Sequence, residues 1–314
     1  MFFQNAFIGK NRWWRWLVTI IGTFLVLLAA QVPLIYFAAT ESQRLGISPD
    51  ALLGRLPVDV DRNIFLALFL IPFAAAFFAL ALLIRWVHKK PFRAVTTGRA
   101  RFGWRRAIFA FLLWMGILTG IVLFLLPEGS YTYQFDPQKF LPLIAIAFLL
   151  FPLQIAAEEV FFRGYLLQGF TLLAKNKLVP FIIVSVLFFA AHVSNPEFAT
   201  GNPAFILDYA MITLFLGLAA VLDDGLEVPC GIHAANNIFI ATIFNTSDGT
   251  FQTDALFQTS LTILSEFPLM FSFVPYLTAF IIFYIVFRWR FSTLLETVKP
   301  PMVPEPVEPS ARPL

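Results

Sequence analysis

Eight runs of mostly apolar residues, at roughly 16–40, 64–87, 107–126, 140–173, 178–193, 204–222, 228–244 and 268–288, recur along the 314-residue chain. A helix needs about 20 such residues to cross the hydrocarbon core of a bilayer, and irregular backbone cannot be satisfied there. The runs therefore predict an all-α fold, a polytopic transmembrane helical bundle of about eight spans. Composition agrees, with 59% hydrophobic and 13% charged residues, against about 45–50% and 25% in soluble domains. The single cysteine, Cys230, excludes an internal disulfide and a Cys-built zinc or iron–sulfur centre. The first run exceeds the roughly 7–15 apolar residues of a signal peptide and reads as a retained signal-anchor helix.

Lys and Arg residues in the connections set the orientation. Three precede the first run, eight lie in 85–106, two are Lys175 and Lys177, and four follow residue 287. Seventeen thus fall on the N-terminal side of the membrane and four on the other, which predicts an N-in/C-in topology. One connection runs weakly against it, because Asp223, Asp224 and Glu227 carry no basic neighbour. Topology accounts for the net charge of +3, so no nucleic-acid partner is expected. Segment 85–106 reads as a topogenic loop, with anionic membrane lipid as the lesser alternative. Six prolines between Lys299 and Leu314 predict a disordered tail. Asn245-Thr246-Ser247 is a glycosylation sequon of little weight.

Charged side chains are costly at mid-bilayer, at least about 2.5–3.5 kcal/mol each on insertion scales, and so mark sites. Apart from Arg85 and Arg288, counted above with the connections, those inside the runs are Glu158, Glu159, Arg163, His192, Asp208 and His233, with Asn236 and Asn237 beside the last. Helical spacing puts Glu159 and Arg163 on one face as an i, i+4 pair in the favourable order. Glu158 points elsewhere, with Gln154 as its same-face neighbour, and reads as the carboxylate free to exchange protons. A turn near Asn176 places Glu158 and His192 at one height, each roughly 25 Å from the turn. His233 lies only about 12 Å beyond a turn near Gly225, so the hairpin carrying Glu158 must protrude further if the three are to meet. His233, Asn236 and Asn237 share a face and could donate to an oxyanion. Phe188 reads as a packing residue, Asn236 as a helix-to-helix hydrogen-bonding residue, and Asp208 as a helix-end residue near the outer surface.

As they stand, the residues are Glu158-Glu159-Val160-Phe161-Phe162-Arg163, Phe188-Phe189-Ala190-Ala191-His192 and His233-Ala234-Ala235-Asn236-Asn237. They read EExxxR, FxxxH and HxxxN in order, and the chain resembles the CPBP family of intramembrane proteases, which includes the CAAX prenyl endopeptidases and bacteriocin-immunity-like members. The resemblance implies an eight-helix endopeptidase with a cavity open to the cytoplasm, in a bacterial inner membrane or the endoplasmic reticulum. It implies that Glu158 and His192 activate a water, that His233 and Asn237 stabilise the oxyanion, and that Glu159 and Arg163 support them. The substrate would be a peptide or lipidated protein tethered to the membrane, cut near its C-terminus. Zinc held by Glu158, His192 and His233 stays open beside a metal-independent mechanism, which the small ligand set favours. On this reading 1–139 are helices without a recognised motif, 140–245 the protease-like core, 246–288 an outer loop and last span, and 289–314 the tail. A transporter, immunity or scaffold protein that uses the same cluster for binding is the alternative. The paired broken helices of transporters are not evident.

Overall fold

Proline and short polar residues start several of the helices. Asp61 accepts hydrogen bonds from the Asn63 and Ile64 amides to start α4 (Arg62–Trp86), Asp136 caps α6 (Pro137–Glu159) through the Gln138 amide, and Asn202 caps α10 (Pro203–Leu222) through the Ala204 amide. Pro137 and Pro203 occupy the first helical turns of α6 and α10, where the missing N–H costs nothing. The structure is a computed structural model and describes residues 1–264, 266 and 271–300. In chain order the helices are α1 Trp13–Ala30, α2 Val32–Leu45, α3 Pro49–Gly54, α4 Arg62–Trp86, α5 Trp104–Phe124, α6 Pro137–Glu159, α7 Leu167–Ala174 and α8 Leu178–Ala190. They continue with α9 Pro196–Ala199, α10 Pro203–Leu222, α11 Glu227–Thr242, α12 Leu261–Leu264 and α13 Val274–Phe287. A π-helical segment, Val160–Leu166, joins α6 to α7 without a break.

Five described helical runs are long and apolar enough to cross a membrane: Trp13–Leu45, Arg62–Trp86, Trp104–Phe124, Pro137–Ala174 and Pro203–Leu222. The chain is therefore a polytopic all-α membrane protein. The other three expected spans are shorter. α8 and α13 are apolar but have 13 and 14 residues, a rise of roughly 20 Å against the ~30 Å of a hydrocarbon core. Residues 268–270 of the last expected span lie outside the described residues. α11 has 16 residues, twelve of them buried, so its apolar side chains pack on protein, not lipid. It is pressed against α5 so closely that a Cβ at Gly231 would collide with the Ala107 carbonyl oxygen.

The connections that the charge pattern groups together also gather in space. Thr97 bridges to Gly225, Asn176 bridges to Thr297, and the Val298 amide donates to the Lys175 carbonyl at 2.8 Å. The acidic turn that ran against the topology is neutralised here. Arg99 pairs with Asp223 at 3.2 Å and Glu227 at 3.1 Å, and Arg106 pairs with Asp223. The Phe2 amide donates to Asp224 at 2.8 Å. Phe2 and Phe3, essentially buried, insert the N-terminus beneath loop 87–103.

Residues 289–300, expected to be part of a disordered tail, are folded instead. Trp289 is buried among Phe280, Phe283 and Phe287, its indole donates to Asp223, and Lys177 pairs with Glu296 at 2.7 Å. Residues 301–314 lie outside the described residues. At the opposite end a small sheet, unforeseen in the sequence, places Phe257–Thr259 between Thr132–Tyr133, antiparallel, and Phe244–Thr246, parallel. Asn245 of the sequon sits in this sheet, 1% exposed and donating to Thr253, so it is no glycan acceptor in the folded chain.

Candidate active site

Glu158 and Glu159 close α6, and the π-helical turn follows directly. Such i→i+5 segments are rare and concentrate at functional sites. Here the turn is held by close packing, since a Cβ at Gly164 would collide with the Val95 carbonyl oxygen and touch Leu226. Gly164 is therefore level with the start of α11, and α7 projects beyond it. The α7–α8 hairpin thus protrudes as the sequence arithmetic required, and His233 reaches the height of the glutamates.

Glu159 and Arg163 form the expected i, i+4 pair at 3.0 Å, and both are 0% exposed. Arg163 lies 3.7 Å from the centre of the Phe188 ring, a cation–π contact, and also donates to the Thr213 carbonyl at 3.4 Å. The Phe188 ring meets His192 at 4.4 Å and His233 at 5.9 Å. It is the apolar spacer that sets the two imidazoles apart and covers the ion pair, a larger part than the packing role read from the sequence.

His233 Nδ1 lies 2.8 Å from Glu159 Oε1. A carboxylate paired with Arg163 accepts, so Nδ1 donates, and Nε2 of His233 is turned toward Glu158 Oε2, 3.7 Å away. His192 donates from Nδ1 to the Phe188 carbonyl at 2.8 Å, which leaves its Nε2 as the acceptor nitrogen. Glu158 Oε1 accepts from Gln154 Nε2, and Gln154 Oε1 accepts from Asn237 Nδ2 at 3.1 Å. The other oxygen, Glu158 Oε2, is buried without a hydrogen-bond partner. Asn236 accepts from the Trp114 indole at 3.3 Å, the helix-to-helix bond expected of it.

Glu158, His192, His233 and Asn237 all line one cavity of about 390 Å³, whose other walls include aromatic side chains of α1, α4, the π turn, α8, α10 and α13. Glu159 and Arg163 sit behind it. Two features escaped the sequence reading. Gln154 links Asn237 to Glu158, although its i−4 spacing from Glu158 was visible. Asp208 lines the cavity and accepts from Tyr276 at 3.0 Å, and is not a helix-end residue at the outer surface.

Catalytic zinc takes three convergent protein ligands. Among the described residues no three His, Cys, Asp or Glu side chains converge in that way. The Nδ1–H bonds of His233 to Glu159 and of His192 to Phe188 are compatible with a metal at Nε2. It is the lack of a third converging ligand that leaves the described donor set, as placed, unfit for zinc, and no step is routed through a metal.

The description of type II CAAX prenyl endopeptidases, Rce1-like, matches residues 137–239, from the first residue of α6 into α11, and so contains all three motifs. An uncharacterized protein of Bacillus subtilis (strain 168), YyaK, is 32% identical over 248 residues, 76% of this chain and 81% of its own. No solved structure matches the chain. With its motifs assembled around one cavity and a relative aligned over three quarters of its length, the chain belongs to the Rce1-like family of type II CAAX prenyl endopeptidases.

Proposed function

We propose that this membrane protein is an intramembrane endopeptidase that hydrolyses a peptide bond in a lipidated or membrane-tethered substrate with a water activated by Glu158. The observation that carries the reading is Glu158 Oε2, buried, without a hydrogen-bond partner and 3.7 Å from His233 Nε2, at the wall of a cavity of about 390 Å³. A carboxylate so placed binds a water and takes its proton as the oxygen attacks the scissile carbonyl. His192 Nε2, facing the same cavity, accepts the water's second hydrogen and aims its lone pair. The tetrahedral oxygen gains its hydrogen bond from the Asn237 amide, whose orientation Gln154 sets. As the C–N bond breaks, the proton on Glu158 passes to the departing amine, directly or through His233 Nε2, and the products are a carboxylate and an amine.

Glu159 and Arg163 act through His233. The ionised Glu159 holds the Nδ1–H tautomer and stabilises the imidazolium whenever Nε2 accepts a proton, and Arg163 keeps Glu159 ionised in a dry site. With the basic connections in the cytoplasm, the folded segments 1–10, 87–103 and 288–298 face that side. The test uses wild type and Glu158→Gln reconstituted in liposomes with a membrane-tethered fluorogenic peptide. Cleavage by wild type alone, with both proteins inserting equally, supports the reading; equal cleavage by the variant overturns it.

A further inference from the structure

Away from the cavity, the N-terminal arm meets the end of α4 at a pair of lysines. The Lys10 amide donates to the His88 carbonyl at 2.7 Å, and His88 Nδ1 donates to the Lys10 carbonyl at 3.0 Å. Gly9 takes a left-handed φ of +82° there, where a Cβ would collide with the same His88 oxygen, and Lys89 is itself left-handed at +52°. Two left-handed positions thus hold Lys10 and Lys89 side by side, and both are exposed. Arg12 follows two residues on, also exposed, and the Arg15 guanidinium donates to the Val87 carbonyl beside them. Four cations therefore crowd one corner of the molecule.

No side chain nearby neutralises them. Asp and Glu are missing from 1–40 and from 62–127. The four described carboxylates on the face that carries the basic connections are taken: Asp223 by Arg99 and Arg106, Glu227 by Arg99, Asp224 by the Phe2 amide and Glu296 by Lys177. Among the described residues no carboxylate pairs with Lys10, Arg12, Arg15 or Lys89. Like charges held this close repel one another, and a phosphate seated among them reverses the sign of the interaction. The corner also borders lipid. Trp13 opens α1 and Trp86 closes α4, 76% and 61% exposed, the placing expected of tryptophans at headgroup level. From there α1 turns Leu17, Ile21, Leu25 and Leu28 outward as an exposed apolar stripe at helical spacing. A phospholipid with its headgroup at the lysines lays its acyl chains on α1, a contact that free phosphate cannot make.

We propose that Lys10, Arg12, Arg15 and Lys89 form the seat of one anionic phospholipid headgroup, and that the bound lipid fastens α1 to α4. The protein itself holds α1 lightly, burying only Thr19 and Thr23 of its 18 residues, yet Thr23, Phe24 and Leu27 of α1 and Phe69 and Phe73 of α4 wall the cavity. A lipid bound to the folded chain therefore stabilises that wall. The experiment titrates full-length protein in detergent with phosphatidylglycerol or phosphatidylcholine, reads bound lipid by native mass spectrometry, and follows the melting temperature. Wild type is expected to prefer phosphatidylglycerol and to melt higher with it. Each cation near an anionic surface contributes about fivefold, so Lys10→Gln with Lys89→Gln should weaken phosphatidylglycerol roughly 30-fold and remove its effect on melting. Lys10→Arg with Lys89→Arg should keep both, and so should Arg101→Gln with Arg105→Gln, which removes the same charge from exposed positions elsewhere. Equal binding of the two lipids by wild type, a preference that survives in K10Q/K89Q, or an equal loss in R101Q/R105Q overturns the proposal. Displacement of phosphatidylglycerol by millimolar inorganic phosphate overturns it too, by showing a site for the free anion. Proteolysis by Glu158 is untouched by any of these results.

Discussion

Gln154 lies outside the three motifs, yet the structure makes it the only described side chain that donates to Glu158, and it is itself oriented by Asn237. Gln154→Leu keeps much of the volume and removes both bonds. Hydrogen bonds to charged groups are worth about 1.5–3 kcal/mol. If the carboxylate loses that much of its positioning in the transition state, kcat/KM falls roughly 10- to 160-fold at about 1.4 kcal/mol per decade. Gln154 is 5% exposed, so the variant also strands the Asn237 amide, at a stability cost of about 1–3 kcal/mol. The assay is steady-state cleavage of a tethered peptide in liposomes, with the melting temperature of each variant measured alongside. Gln154→Leu and Asn237→Leu should be strongly non-additive, because each breaks the same chain to Glu158. Wild-type kcat/KM in folded Gln154→Leu, or additive losses in the double variant, would refute the reasoning.

Three further outcomes follow from the same geometry. Arg163→Met should destabilise by about 3–5 kcal/mol, since it leaves Glu159 buried with His233 alone, and adding Glu159→Gln should restore most of the loss; thermal unfolding of the single and double variants decides it. His88, outside the spans, has its pKa lowered to about 4 by burial, then by the Lys90 ammonium. The folded state therefore refuses a proton that the unfolded chain accepts below its ordinary value of 6.5, so stability falls as pH drops from 6.5 to about 4. The loss totals about 3 kcal/mol; His88→Asn should flatten that slope, and an unchanged slope counts against it. Treatment with a zinc chelator should leave cleavage unchanged in metal-free buffer, and a loss that zinc restores would show that the side chains rearrange around a metal.

What the sequence revealed was local. The Glu159–Arg163 pair and the separation of Glu158 from it follow from helical spacing, and one hairpin carries both Glu158 and His192 to the same cavity. Other features depend on packing between distant segments. Arg99 and Arg106 neutralise Asp223 and Glu227 from more than a hundred residues away, so an acidic turn read alone seemed misplaced. Periodicity counts α11 as a span because it is apolar, but cannot tell a helix packed on protein from one packed on lipid. Spacing along the chain puts Asp208 near a helix end, whereas the packing of α13 beside α10 brings it to Tyr276. Likewise the Phe188 ring could be seen as apolar, but not as the plate between one guanidinium and two imidazoles.

The central claim is that Glu158 drives water into a peptide bond inside the membrane. Its most direct test is single-turnover cleavage of a tethered peptide in ¹⁸O-labelled water, with wild type and Glu158→Gln in identical liposomes and the products read by mass spectrometry. The account expects one ¹⁸O in the new carboxylate with wild type and no product with the variant. Labelled product formed equally by both proteins would contradict it.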